Sequence, residues 1–135
     1  MTETLFRRLA RHLDSLPGGY PPTDSGIELK ILRRLFTPEE AELTLHLTII
    51  AEPPRVVARR AGISADEASG RLEEMARKGL ILKTGGNGAP ARYMALQFVV
   101  GIWENQVNRL DADLIRDVND YIPTLFNLDE WRRAP

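Results

Sequence analysis

Residues 54–95 read PRVVARRAGISADEASGRLEEMARKGLILKTGGNGAPARYMA, and the punctuation of this stretch restricts the fold more than anything else in the chain. A short helix, Arg55–Ala61, contributes Val56 and Val57 as its apolar contacts and runs into Gly62. Glycine suits a tight inter-helical turn because it takes positive φ without a Cβ clash. Ile63 then serves as an apolar plug, and Ser64 caps a second helix that stops at Gly79. Ala65, Ala68, Leu72 and Met75 form the buried face of that second helix. Leu80–Leu82 and Arg92–Ala95 read as two strands around the flexible tip Gly85-Gly86-Asn87-Gly88. Helix, turn, helix and hairpin in this order predict a mainly α fold with a small β wing: a winged helix-turn-helix.

The flanks read as helical. In Thr2–Leu16, Leu5, Leu9, Leu13 and Leu16 fall at helical spacing, with arginines on the opposite side. Pro17-Gly18-Gly19 ends this helix, and Tyr20-Pro21-Pro22-Thr23 continues as an exposed loop. Ile27–Leu35 forms a second helix. Thr37-Pro38-Glu39-Glu40 combines an N-cap threonine, a proline at the first helical position and a glutamate placed for a capping box, so a third helix runs to about Leu47. The β-branched Thr48-Ile49-Ile50 predicts a short strand. Beyond the wing, Phe98, Val99, Ile102, Trp103, Val107 and Leu110 give one apolar helical face. Asp111 caps a last helix, with Leu114, Ile115, Val118, Tyr121 and Ile122, that Pro123 stops. The expected organisation is N-terminal helices over 1–53, the winged helix over 54–95, C-terminal helices over 96–126 and a tail over 127–135.

Charge is unevenly distributed, although the net formal value is only −1. Residues 54–94 carry eight Lys/Arg against four Asp/Glu, while the flanking segments are net −2 and −3. A basic block between acidic flanks points to a polyanion. The second helix points the other way. With Leu72 as the buried reference, its outward positions are Asp66, Glu67, Gly70, Glu73, Glu74 and Arg77, mostly acidic where a reader of base edges needs cations and amides. Glu67–Arg71, Glu73–Arg77 and Glu74–Lys78 have i,i+4 spacing with glutamate first, the favourable orientation for a solvated helix face. What remains for a nucleic acid is Arg55, Arg59, Arg60, Ser69, Lys83 and Arg92, to which a DNA-binding alternative would add Arg71. Direct DNA binding is therefore the disfavoured reading, and a protein-interaction module the favoured one.

Other chemistries find little support. The chain has no cysteine, so it offers no thiolate ligand or cysteine nucleophile. Its two histidines, His12 and His46, read as ordinary surface or boundary residues. The glycine-rich tip lacks the Lys-Ser/Thr of a phosphate-binding loop. Asp111, Asp113, Asp117 and Asp120 have the spacing of a helix N-terminus, where acids are favoured by the dipole. No nucleophile and base are brought together, so a non-enzyme is expected, with no catalytic, metal or cofactor-binding residue assigned. No signal sequence or membrane-spanning run is evident, which predicts a cytoplasmic protein without membrane contact. Phe98, Trp103, Val107, Tyr121, Phe126 and Trp131 are candidates for an interaction face, for a partner or a second copy of the chain, with a plain core as the competing assignment.

The strings RRLARHLDSLPGGYPPTDSGIELKILRRLFTPEEAELTLHL, ARRAGISADEASGRLEEMARKGLI and YMALQFVVGIWENQVNRLD together resemble one bacterial group. It is the amino-terminal winged-helix region of ferredoxin-type 4Fe-4S iron–sulfur proteins of anaerobes. The likeness spans nearly all of residues 6–126, while the helix-turn-helix portion is also similar to MarR-like and ArsR-like regulators. The resemblance implies electron transfer through cysteine-bound clusters in a downstream domain. With no cysteine here, no cluster ligand can be carried over. The chain is then expected to be the accessory amino-terminal part of a longer protein, its partner being the cluster domain or another protein. A dimeric DNA-binding regulator is the alternative.

Overall fold

A computed structural model of the chain describes residues 2–106 and 112–125. It is mainly helical, with one small antiparallel sheet. The elements are α1 (Thr2–Asp14), α2 (Ile27–Leu35), α3 (Pro38–Thr44), α4 (Pro54–Ala61), α5 (Ala65–Arg77), β1 (Ile81–Thr84), β2 (Arg92–Ala95) and α6 (Ala112–Leu125). Between β2 and α6, Phe98–Ile102 forms a wide helical turn and Glu104–Gln106 a tighter one, where a longer regular helix was expected. In the wide turn Ile102 N and Trp103 N donate to Gln97 O and Phe98 O, both at 3.0 Å, in an i→i+5 pattern.

Local signals explain most of the boundaries. Thr37 accepts from the Glu40 amide while the Glu40 carboxylate accepts from the Thr37 amide, completing the capping box at α3. Ser64 accepts from the Glu67 amide and so starts α5. At the far end of α5, Gly79 has φ +80°; its amide bonds to Ala76 O and that of Leu80 to Met75 O. These two bonds make a Schellman ending, satisfying carbonyls that the helix leaves open. Gly62, at φ +73°, turns the chain from α4 into α5.

Three expectations need correcting here. Pro123 lies inside α6, which continues to Leu125. A proline so near the end forfeits only its own bond to the carbonyl of residue 119, and Asn119 is exposed to water. Thr48-Ile49-Ile50 is no strand. Thr48 O accepts from the Ala95 amide at 2.8 Å and Glu52 exchanges both bonds with Tyr93, so the chain touches β2 at two points and bulges outward between them. Tyr20 is not exposed with its loop: it is 1 % exposed, and its hydroxyl donates to Glu28 O at 2.6 Å.

A shared core joins these elements. Phe6, Leu9 and Leu13 of α1, Leu32 and Leu35 of α2, and Leu72 and Met75 of α5 are buried in it. Tyr20, Phe98 and Tyr121 meet in it with ring centroids 5.0–6.4 Å apart, tilted or edge-on as aromatic rings prefer. The Tyr121 hydroxyl donates to Pro21 O at 2.7 Å, fixing α6 to the proline loop. Asp117 of α6 is buried and accepts from Arg34 Nε at 3.2 Å, with Lys30 at 3.6 Å, so this carboxylate belongs to a contact between α2 and α6.

Candidate interaction face

Ala65–Arg77 packs Ala68, Leu72 and Met75 inward. Ala65, expected on that buried face, is exposed at the first position of the helix. The solvent side holds Asp66, Glu67, Glu73 and Glu74 against Arg71 and Arg77, a net charge of −2. Asp66 and Glu67 stand in the first turn, where the helix dipole favours carboxylates.

The ion pairs differ from those that helical spacing predicts. Glu67 and Arg71 do meet, at 3.6 Å. Glu73 does not reach Arg77; it accepts from Lys83 Nζ at 2.7 Å and from the Tyr93 hydroxyl at 2.6 Å. Glu74 pairs with Arg77 one residue closer, and Lys78 turns away to Glu40 of α3 at 2.7 Å. Three-dimensional neighbours displace i,i+4 partners because the C-terminal half of α5 has α3 on one side and the hairpin on the other. Tyr93 shows why the hairpin wins Glu73. In the register Ile81↔Ala95 and Lys83↔Tyr93, the side chains of Tyr93, Ile81 and Ala95 are buried. Alternation along Arg92–Ala95 already assigns Tyr93 and Ala95 to one face. The sequence therefore carried a signal for this contact.

These bonds set the local electrostatics. Hydrogen bonds from Lys83 and then Tyr93 hold the Glu73 carboxyl below the usual carboxylate range. The Arg77 guanidinium does the same for Glu74. Burial, then the bond to Glu73 and its charge, push the Tyr93 phenol up to about 12. On the neighbouring helix, Arg60 binds Glu52 and donates to His46 O at 2.7 Å. The bond between Arg60 and the Glu52 carboxylate lowers the Glu52 pKa and raises that of Arg60.

Of the residues singled out for nucleic acid, Arg60, Arg71 and Lys83 are thus engaged within the chain. Arg55, Arg59, Ser69 and Arg92 are exposed, and the three arginines form no ion pair with a described residue. On the outward face of α5 itself, Asp66, Glu67, Glu73 and Glu74 outnumber Arg71 and Arg77. His12 Nε2 lies 2.7 Å from Leu47 O, which ties α1 to the turn after α3. Burial lowers the His46 pKa, with Arg60, Arg8 and His12 acting in the same direction and Glu42 against it. Among the described residues no three His, Asp or Glu side chains gather as a metal site needs, and no helix is long and apolar enough to cross a membrane.

The described members of the candidate interaction face pack against the core, which was the competing assignment. Phe98 and Tyr121, candidates for an interaction face, are wholly buried, and Trp103 is half-buried against the core. Val107, Phe126 and Trp131 lie outside the described residues. Among the described residues, the exposed large apolar side chains are Ile49 (55 %), Ile50 (69 %), Leu82 (42 %) and Ile115 (38 %). Leu82 pairs across the hairpin with Met94, which also lines a cleft with Ile49, Leu96 and Leu16. The outward bulge at 49–51 therefore adds Ile49 to the outer face of the hairpin. No family model, curated protein or solved structure matches the chain.

Proposed function

We propose that residues 54–95 are a winged helix-turn-helix used to bind protein, and that the chain is a non-catalytic accessory domain of a ferredoxin-type 4Fe-4S electron-transfer protein. The iron–sulfur part of this reading rests on the resemblance over residues 6–126. With no cysteine, nothing in the chain fits a cluster, and none of its residues is assigned to one. The reading as an interaction module is carried by one observation: the outward side of α5 is net anionic, and its Glu73 is joined to the wing through Lys83 and Tyr93. A duplex approaching this side would meet carboxylates before cations, and like charges across an interface cost several kcal/mol. Releasing Lys83 for a phosphate would leave Glu73 on the same surface.

A dimeric DNA-binding regulator is the second reading, and the exposed Arg55, Arg59 and Arg92 are what favour it. Three phosphate contacts would give a log–log salt slope of about −2.7. Fluorescence anisotropy with a random duplex and one from upstream of the gene, at about 50 and 200 mM salt, separates the two. The interaction reading expects no saturable binding tighter than about 10⁻⁴ M at the higher salt. Sub-micromolar, sequence-selective binding with a steep salt slope would establish the regulator instead.

A further inference from the structure

Gly70 stands in the middle of α5, exposed, and a Cβ added there would meet nothing within 4 Å. Glycine weakens a helix interior relative to alanine, and no neighbour in the described chain requires its absence of side chain. Gly70 lines a cleft of about 340 Å³ between α3 and α5, with Glu39, Glu40 and Glu74 at its sides and the buried Met75 among its lining. A second cleft of about 270 Å³ adjoins it through the shared Glu39 and Arg71, and adds Glu42, Leu43 and Ile63. The two form one groove with apolar side chains in its lining. Glu39 and Glu42 form no ion pair with a described residue, Glu40 is matched by Lys78, and Arg71 by Glu67.

From this combination we infer that the α3–α5 groove docks a cationic amphipathic helix of a partner protein, its backbone crossing α5 closely at Gly70. Interaxial distance depends on the side chains at a crossing, so a glycine admits the nearest approach. An apolar side chain of the incoming helix fills the space over Met75 or Ile63, as in helix-in-groove recognition. Its Lys or Arg residues meet Glu39 and Glu42, a complementarity that sets specificity and on-rate. A second copy of this chain is a poor occupant. Each of its arginine-bearing helices already buries its apolar side in its own core: Leu9 of α1, Leu32 of α2, Val57 of α4, Leu72 of α5 and Val118 of α6. The assignment rests on the interaction reading above.

The test uses two synthetic amphipathic peptides of about four helical turns, one with leucine at helical spacing and lysine elsewhere, the other with glutamate replacing lysine. Amide chemical shifts of the isotope-labelled chain report where each binds. The lysine peptide should bind saturably, with shifts concentrated at 37–43, 63 and 70–75, and the glutamate peptide should not. Glu39→Lys with Glu42→Lys should weaken binding at least tenfold. Gly70→Leu should do the same while raising Tm by about 2–5 °C, so that lost binding cannot be mistaken for lost folding. Equal binding of both peptides, shifts centred on Leu82 and Met94, an unaffected Gly70→Leu variant or no saturable binding each overturns the groove assignment. If a DNA duplex shifts the α5 amides, the interaction reading falls with it. If neither probe does, only the groove is lost.

Discussion

The phenol of Tyr93 sits beneath the hairpin with its hydroxyl on the Glu73 carboxylate, and one side chain thereby joins the sheet to α5. Its pKa is raised to about 12, first by burial and then by Glu73. A raised phenol pKa means that its contribution to stability is complete below the ordinary value near 10 and is lost as pH climbs toward about 12. Tyr20 and Tyr121 are raised too, both chiefly by burial. Alkaline titration followed by phenolate absorbance should therefore show no tyrosine ionising near pH 10 while the chain stays folded. The stability advantage over Tyr93→Phe should hold up to pH 10 and shrink above it. A phenolate appearing at the ordinary value in folded protein would contradict this placement. The residue scale was also the least legible in advance. Tyr20 sits among prolines and glycines and reads as loop, because its burial depends on Phe98 and Tyr121, far away in sequence.

Elements were more legible, since caps and breakers act over three or four residues. The threonine–proline–glutamate start of α3, the serine start of α5 and the glycine stops at 62 and 79 all lie where short-range chemistry puts them. Strand 48–50 failed because β-branching describes side chains, whereas a strand needs consecutive backbone pairing along β2, and here only Thr48 and Glu52 bond to it. The two glycines make distinct predictions. Alanine at Gly62 has open space around its Cβ and suffers only the left-handed backbone, a loss of about 1–2 kcal/mol. Alanine at Gly79 suffers the same and also overlaps the Asn105 side chain, adding roughly 1–3 kcal/mol of overpacking. Urea unfolding should rank Gly79→Ala clearly below Gly62→Ala; equal midpoints would show that Asn105 yields freely.

At the scale of the whole molecule, most of the basic block at 54–94 is paired once the chain folds. Five of its eight cations pair with carboxylates, and Arg60 and Lys78 find theirs outside the block, on Glu52 and Glu40. A linear charge count sees the excess but not these cross-segment partners. That is why the acidity of α5 and the Glu67–Arg71 pair could be read from the sequence, and the partners of Arg60, Lys78 and Lys83 could not. The most direct measurement is a gain of function. The combined variant Asp66→Asn, Glu67→Gln, Glu73→Gln and Glu74→Gln removes the anionic barrier and leaves Arg71, Arg77 and Lys83 without those partners. Titrated against one duplex at low salt, it should bind at least tenfold more tightly than the unsubstituted chain and with a steeper salt slope. Identical affinities, or tight binding by the unsubstituted chain itself, would mean that the carboxylates of α5 do not keep it from DNA.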